Sequence, residues 1–150
     1  MPRTDVTITT HDGACPASVF TPSGSSGPWP AVIFYMDGFG IRPVMWSMGA
    51  RLADAGYLVL LPDLYYRSGV YEPMEPKALL AQPDGREILM RYVGSLDRDK
   101  KVADTEAFLA YLATLSLIHI SCHCFRCIRY AHSGSNRFSN FCNCGRGIRP

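Results

Sequence analysis

The chain has 150 residues, of which 47% are hydrophobic, and a formal net charge of +2. This length and composition are typical of one globular domain with a sizeable core. They exclude a membrane-spanning helix, because no apolar run approaches the roughly eighteen residues that a span needs. Residues 1–5 lack the apolar core of a secretion signal, so we expect a cytoplasmic location and no membrane partner.

Charge is divided unevenly along the chain. Residues 1–120 hold all thirteen acidic residues and ten of the fifteen lysines and arginines, whereas residues 121–150 hold five arginines, no lysine and no acid. Five of the six cysteines also lie beyond residue 118. We therefore divide the chain into a domain portion, residues 1–115, and a tail rich in cysteine, arginine and serine, residues 116–150.

The first predicted element is a β-hairpin. Residues 6–8 and 17–19 alternate between apolar and polar or small side chains, and Asp12-Gly13 between them is a strong signal for a two-residue turn. His11 lies beside Asp12 at the tip. We expect both side chains to belong to a surface turn and to have no catalytic role.

A strand, a helix and a second strand are predicted next. Residues 31–35 and 57–61 are short apolar runs, which are typical of strands buried on both faces of a parallel sheet. Between them apolar residues recur every three or four positions, Pro43 suits a first helical turn and Gly56 can end the helix. This order predicts a βαβ unit. The alternative is a buried helix in place of either run.

Three further elements are predicted after the second run. Residues 68–83 are expected to form a covering loop with one helical turn, and residues 84–96 a short helix. The pattern over 97–114 predicts a longer amphipathic helix, with acidic residues at its start, where they favour the helix dipole. One stripe of this helix is predicted to carry Val102, Thr105, Leu109 and Leu112, with Phe108 beside it.

Two polar segments follow the predicted strands. Ligands of open α/β sheets bind at the carboxyl ends of the strands, which is where residues 36–40 and 62–67 lie. The first segment is a glycine-bearing turn that enters a helix, so its backbone N–H groups can point at an anion. Such donors form an oxyanion hole, which stabilises charge developing on a carbonyl oxygen. Alternatively, the glycines only turn the chain.

The segments PAVIFYMDGFGIRP and RLADAGYLVLLPDLYYRSG resemble the dienelactone hydrolase family of α/β-hydrolases. The resemblance covers about residues 5–115. It implies an α/β fold, comprising the N-terminal strands and helices of a doubly wound hydrolase sheet. It also implies hydrolysis of a small carboxylic ester or lactone without a cofactor.

The resemblance also assigns roles to four residues. Asp37 matches an acidic residue that orients the nucleophile, and the backbone N–H of Gly38 matches an oxyanion donor. Phe39 and Arg67 match substrate-binding positions. Arg67 is expected to hold the carboxylate of the substrate, a role that suits a planar bidentate donor.

The remaining catalytic parts of such an enzyme are missing from the sequence. No glycine pair brackets a serine or cysteine in the spacing of a nucleophile elbow, and no acid follows Glu106. We therefore expect an inactive fragment of a hydrolase. Without a fifth strand, the strand at residues 31–35 would lie at an open apolar edge, which favours self-association.

The tail permits several interpretations. Residues 115–120 could form a short strand that replaces the missing one. Cys124 and Cys127 have the spacing of zinc ligands, although Cys142 and Cys144 do not, and the arginines and aromatic residues could contact nucleic acid. We favour out-of-frame or foreign sequence, since no amphipathic period persists, and so expect a poorly packed tail with neither metal nor nucleic acid.

Overall fold

Five strands form one mixed sheet in a computed structural model that describes residues 2–24, 26–115 and 120–121. The strands lie side by side in the order β1-β2-β4-β3-β5. They are β1 (Arg3–Thr10), β2 (Gly13–Phe20), β3 (Ala31–Ile33), β4 (Leu58–Pro62) and β5 (Ile120–Ser121). The helices are α1 (Pro43–Asp54), α2 (Pro76–Leu80), α3 (Gly85–Gly94) and α4 (Arg98–Leu115), with a short 3₁₀ helix at Tyr66–Ser68. The α/β architecture confirms the predicted fold class.

The N-terminal hairpin is confirmed. β1 and β2 pair in antiparallel register from Arg3 opposite Phe20 to Thr10 opposite Gly13. Gly13 has a φ of 139°, a conformation that side chains disfavour, so glycine suits this turn. β2 also pairs with β4 in antiparallel register, which joins the hairpin to the centre of the sheet.

The βαβ unit is also confirmed. β3 and β4 are parallel, α1 connects them, and every residue of β4 is buried. This burial on both faces explains why β4 is apolar throughout. β3 ends at Ile33, two residues before the end of the apolar run, and the Phe34 N–H still donates to the Leu60 carbonyl over 2.8 Å.

A fifth, very short strand changes the expected edge of the sheet. β5 pairs with β3 in parallel, with Ile120 opposite Ala31 and Ser121 opposite Val32. The expectation that β3 would be an open edge is therefore wrong for these two residues of β3. Of the range 115–120, which could form a strand according to the sequence, Ile120 lies in β5, whereas Leu115 belongs to α4.

Helix α4 begins and ends within one residue of the prediction, but its buried side differs from the predicted one. Its fully buried residues are Asp104, Phe108 and Leu112, which recur every four positions. Of the predicted stripe, Leu112 is buried, whereas Val102, Thr105 and Leu109 are only partly buried. Asp104 is thus a carboxylate without exposed surface, and it requires a partner. That partner lies in the segment after β4.

The interpretations of the tail concern residues outside the described part of the chain. These include the zinc site at Cys124 and Cys127 and nucleic-acid binding. Across residues 2–24, 26–115 and 120–121, no helix combines the length and apolar character required to cross a bilayer. The cytoplasmic location stays a prediction.

Candidate active site

The two segments predicted to form the site meet at the carboxyl ends of β3 and β4. After β3, the Gly40 N–H donates to the Asp37 carbonyl over 3.1 Å, which closes a turn, and Gly40 has a φ of 74°. From the segment after β4, the Tyr65 hydroxyl donates to the Gly38 carbonyl over 2.8 Å. This bond also restrains the planar peptide that joins Gly38 to Phe39.

A bidentate ion pair connects the turn to the start of α1. Arg42 Nη1 and Nη2 donate to Asp37 Oδ1 and Oδ2 over 2.6 and 2.7 Å, and Arg42 also donates to the Gly40 carbonyl over 3.2 Å. The Arg42 guanidinium lowers the pKa of Asp37, and the Phe39 N–H, 2.9 Å from Asp37 Oδ1, acts in the same direction. Asp37 is therefore ionised at neutral pH, with both oxygens hydrogen-bonded.

Tyr71 connects the same turn to Asp63, which follows β4. Its hydroxyl donates to Asp63 Oδ1 and accepts from the Ile41 N–H, each over 3.0 Å. A β-carbon added to Gly40 would lie 2.7 Å from the Tyr71 oxygen, so this contact and the positive φ both require glycine. Burial raises the pKa of Asp63, against the opposing effect of hydrogen bonds from the Tyr65 N–H and the Tyr71 hydroxyl.

Helix α3 covers one side of the candidate site. Its Tyr92 packs against Tyr65 and Tyr71, with ring centroids 5.2 and 5.6 Å away. The next residue, Val93, faces the turn, because a β-carbon added to Gly38 would lie 3.3 Å from Val93 Cγ2. Aromatic and aliphatic side chains of α3 thus cover one side of the Gly38 turn, while Asp37 stays exposed and Gly38 partly exposed.

Arg67, a predicted substrate-binding residue, contacts two carboxylates of the chain itself. Its Nη1 and Nη2 donate to Asp104 Oδ2 and Oδ1, and its Nε to Asp12 Oδ2, all over 2.8 Å. Asp104 also accepts from the Tyr66 hydroxyl over 3.0 Å. The bonds to Asp104 are the main reason that the pKa of Arg67 is raised. Two guanidinium N–H groups are left, so its substrate-binding role stays a prediction.

Phe39, the other predicted substrate-binding residue, lies beside the ion pair of the turn. The Arg42 guanidinium carbon is 5.6 Å from the centre of the Phe39 ring, within range of a cation–π contact. Phe39 is partly exposed, so part of this residue can be reached from solvent.

Cys15 is the free cysteine in the described part of the chain, and it is not placed as a nucleophile. It is fully buried, and its sulfur lies 3.5 Å from the Asp63 carbonyl oxygen. Burial raises the pKa of the thiol to about 12. Because the thiolate is the reactive species, a thiol protonated at neutral pH is a poor nucleophile.

No metal centre is present among the described residues. Groups of three or more histidine, cysteine, aspartate or glutamate side chains suitably arranged for a metal ion are absent there.

Three residues that organise the site were missed from the sequence. Arg42 lies within the first recognised segment but was given no role there, whereas Tyr71 and Asp104 lie outside both segments. Arg42, close to Asp37 in the chain and opposite in charge, offered a weak signal. The contacts of Tyr71 and Asp104 link distant segments, so the local sequence carries no sign of them.

A comparison with protein families matches residues 15–125 to the model described as "Dienelactone hydrolase family". This match covers most of the chain. The chain belongs to the dienelactone hydrolase family. The match includes both segments that form the candidate site and extends ten residues beyond the limit at residue 115 that the sequence pattern indicated.

Individual relatives match a part of this chain. A Yersinia pestis protein named "Putative carboxymethylenebutenolidase" is 35% identical over 65 residues, or 43% of this chain and 24% of the relative. An Escherichia coli K12 protein of the same name is 41% identical over 54 residues, or 20% of the relative. The matched segments thus span about a quarter or less of these proteins.

A solved structure supports the same relationship. The "Putative Dienelactone Hydrolase from Klebsiella pneumoniae" has a TM-score of 0.60 and 25% identity to this chain. The similarity covers 75% of this chain and 44% of the Klebsiella protein. The described fold therefore corresponds to less than half of that hydrolase.

Asp104→Ala is predicted to destabilise the fold by about 3 kcal/mol, because the Arg67 charge loses its buried partner. Glu106→Ala, in an exposed position of the same helix, should change the free energy of unfolding by less than about 0.5 kcal/mol. Urea denaturation followed by circular dichroism measures both. Equal stability of the two variants would contradict the structural role of the pair.

Arg42→Met is predicted to raise the pKa of Asp37 towards its ordinary value of 3.8, since the group that lowers it is lost. Ionised Asp37 stabilises the native fold above the unfolded pKa, and this contribution is lost as pH falls through the lower native pKa. The variant lacks most of this contribution, so its free energy of unfolding should fall less than that of the unaltered chain as the pH is lowered. Carbon-13 NMR of the carboxyl group from about pH 2 to about pH 6 measures the pKa.

The control for this titration is Arg51→Met, which removes an arginine from the last turn of α1 without touching the Gly38 turn. It should leave the pKa of Asp37 unchanged. An Asp37 pKa that is the same in all three proteins would show that the ion pair is not formed in solution.

Proposed function

We propose that this chain contributes the oxyanion side of a hydrolase that cleaves small carboxylic esters or lactones. The observation that supports this most directly is the position of the Gly38 turn. It follows β3 at the carboxyl edge of the sheet and is held there by Arg42, Tyr65 and Tyr71. A restrained backbone donor suits an oxyanion, because it stabilises developing charge without having to reorganise.

The proposed chemistry is attack on the ester carbonyl by a nucleophile that a histidine activates. As the tetrahedral intermediate forms, negative charge develops on the former carbonyl oxygen. The Gly38 N–H is proposed to donate to that oxygen, and ionised Asp37 to orient the nucleophile. Phe39 provides an apolar contact for the substrate, and Arg67 is proposed to contact its carboxylate.

The 150 residues do not contain all parts of this mechanism. Their sequence has no nucleophile elbow, and no acid follows Glu106. An oxyanion donor alone gives no covalent intermediate, so we propose that this chain is catalytically silent by itself. We also propose that the hydrolase-like portion ends at residue 115 and that the tail begins at residue 116. The catalytic elements of the family would follow α4, which ends at Leu115.

Hydrolysis of p-nitrophenyl acetate tests the proposed function. The 150-residue chain should release p-nitrophenol at the buffer rate. A chain continued after α4 with a family-type nucleophile strand, acid and histidine should turn over with saturation. Its counterpart without the nucleophile is the control. Saturable turnover by the short chain that disappears in Cys122→Ser, Cys124→Ser or Cys127→Ser would contradict the proposal.

The role of Gly38 can be tested in the continued chain by replacing the Asp37–Gly38 peptide with an ester, which removes the N–H and leaves the Asp37 carbonyl in place as a weaker acceptor. The proposed donor predicts a fall in kcat of about 100-fold. An unchanged kcat would exclude this N–H as an oxyanion donor.

A further inference from the structure

A cleft of about 380 Å³ lies on the face of the sheet that α1 covers. Its floor is formed by β1, β2 and β4, where Asp5 pairs with Ser18 and Ser18 with Leu61. Side chains of a strand alternate between the two faces, so Ser18 shares its face with Phe20, which lies against Gly49 of α1. The volume is in the range of small-molecule binding sites.

The lining of the cleft is mostly apolar and negatively charged. Ile41, just before α1, and Trp46, within α1, form one wall, and Leu61 lies on the floor. Asp5 and Asp63 also line the cleft, whereas no lysine, arginine or histidine of the described residues does. A cleft with charge of one sign and apolar walls concentrates ligands of the opposite charge. This lining therefore favours a cation that carries an apolar group.

The two carboxylates of the cleft differ in their partners. Asp5 accepts from Arg3 over 3.0 Å and from Ser18 over 2.7 Å, and 63% of its side chain is exposed. The Arg3 guanidinium carbon also lies 4.5 Å from the centre of the Trp46 ring. The charge of Asp5 is thus already balanced at the exposed rim of the cleft, which leaves Asp63 as the carboxylate to pair with a bound cation.

Asp63 keeps one oxygen for a ligand. Its Oδ1 accepts from the Tyr65 N–H and from the Tyr71 hydroxyl, each over 3.0 Å. Within residues 2–24, 26–115 and 120–121, Oδ2 has no hydrogen-bond donor, and no cationic side chain lies at ion-pair distance from Asp63. Burial raises the pKa of this carboxyl, an effect that a cation at Oδ2 would oppose.

We propose that the cleft binds a small primary ammonium with an apolar body, whose ammonium group donates to Asp63 Oδ2. The apolar body contacts Leu61 and Trp46. Further acceptors for the ammonium hydrogens are the Ser18 hydroxyl, whose own hydrogen is given to Asp5, and the Thr7 hydroxyl on the opposite wall. This site goes beyond the proposed hydrolysis and does not depend on it.

Titration of the 150-residue chain with benzylammonium tests the site. Binding should be saturable and should lower the pKa of the Asp63 carboxyl in carbon-13 NMR, because the cation stabilises the ionised form. Asp63→Asn keeps the shape and an acceptor for Tyr71 but removes the charge, so it should weaken binding at least about tenfold. Asp54→Asn removes an exposed carboxylate from α1 and should change the affinity less than about twofold.

Two threonines of β1 provide a test that leaves Asp63 intact. Thr7 lines the cleft, whereas Thr4 points to the opposite face of the sheet, and both are exposed. Thr7→Arg places a positive charge in the cleft and should weaken benzylammonium binding at least about fivefold. Thr4→Arg adds the same charge on the other face and should change the affinity less than about twofold.

Uncharged and anionic analogues distinguish recognition of the cation from general apolar attraction. Benzyl alcohol, which has the same ring without the charge, should bind at least about tenfold more weakly than benzylammonium, and benzoate should not bind. Equal affinity for benzyl alcohol, undiminished binding by Asp63→Asn, or absence of saturable binding would overturn the proposal. These measurements require no turnover, so their outcome is independent of the proposed function.

Discussion

The bond between Arg67 and buried Asp104 is the interaction on which the arrangement at the carboxyl edge depends. A carboxylate without exposed surface is tolerated only when charge and hydrogen bonds compensate for its lost hydration. Arg67 supplies both and also binds Asp12 in the hairpin turn. One side chain thereby joins α4, the hairpin and the segment after β4. As a result, most of the N–H groups of Arg67 already donate to carboxylates of the chain itself.

Arg67 and the residue after it face different neighbours. Arg67 points to α4, while Ser68 lines a cavity next to α3. These two consecutive residues of the 3₁₀ helix therefore face different helices, α4 and α3. A substrate carboxylate at Arg67 would share the guanidinium with the ion pair that holds α4, and this would couple substrate binding to the packing of the helix.

The sequence predicted those parts of the fold that depend on local periodicity. The Asp12-Gly13 turn, the buried run of β4 and the limits of α4 follow from turn chemistry and apolar spacing. The early end of β3 could not be predicted, because Phe34 and Tyr35 both suit a strand, although Phe34 lies beyond β3 and keeps a single hydrogen bond to β4. The family resemblance located the Gly38 turn, whereas the partners that hold it come from segments distant in sequence, as the contact from Tyr71 illustrates.

Prearrangement of the Gly38 turn by this chain alone is the central claim, and amide hydrogen exchange tests it most directly. The N–H groups of Phe39, Gly40 and Ile41 each donate to an acceptor from Asp37 or Tyr71. They should exchange at least about tenfold more slowly than in an unfolded chain. Exchange of all three at unfolded rates, while the amides of β4 remain protected, would contradict a prearranged turn.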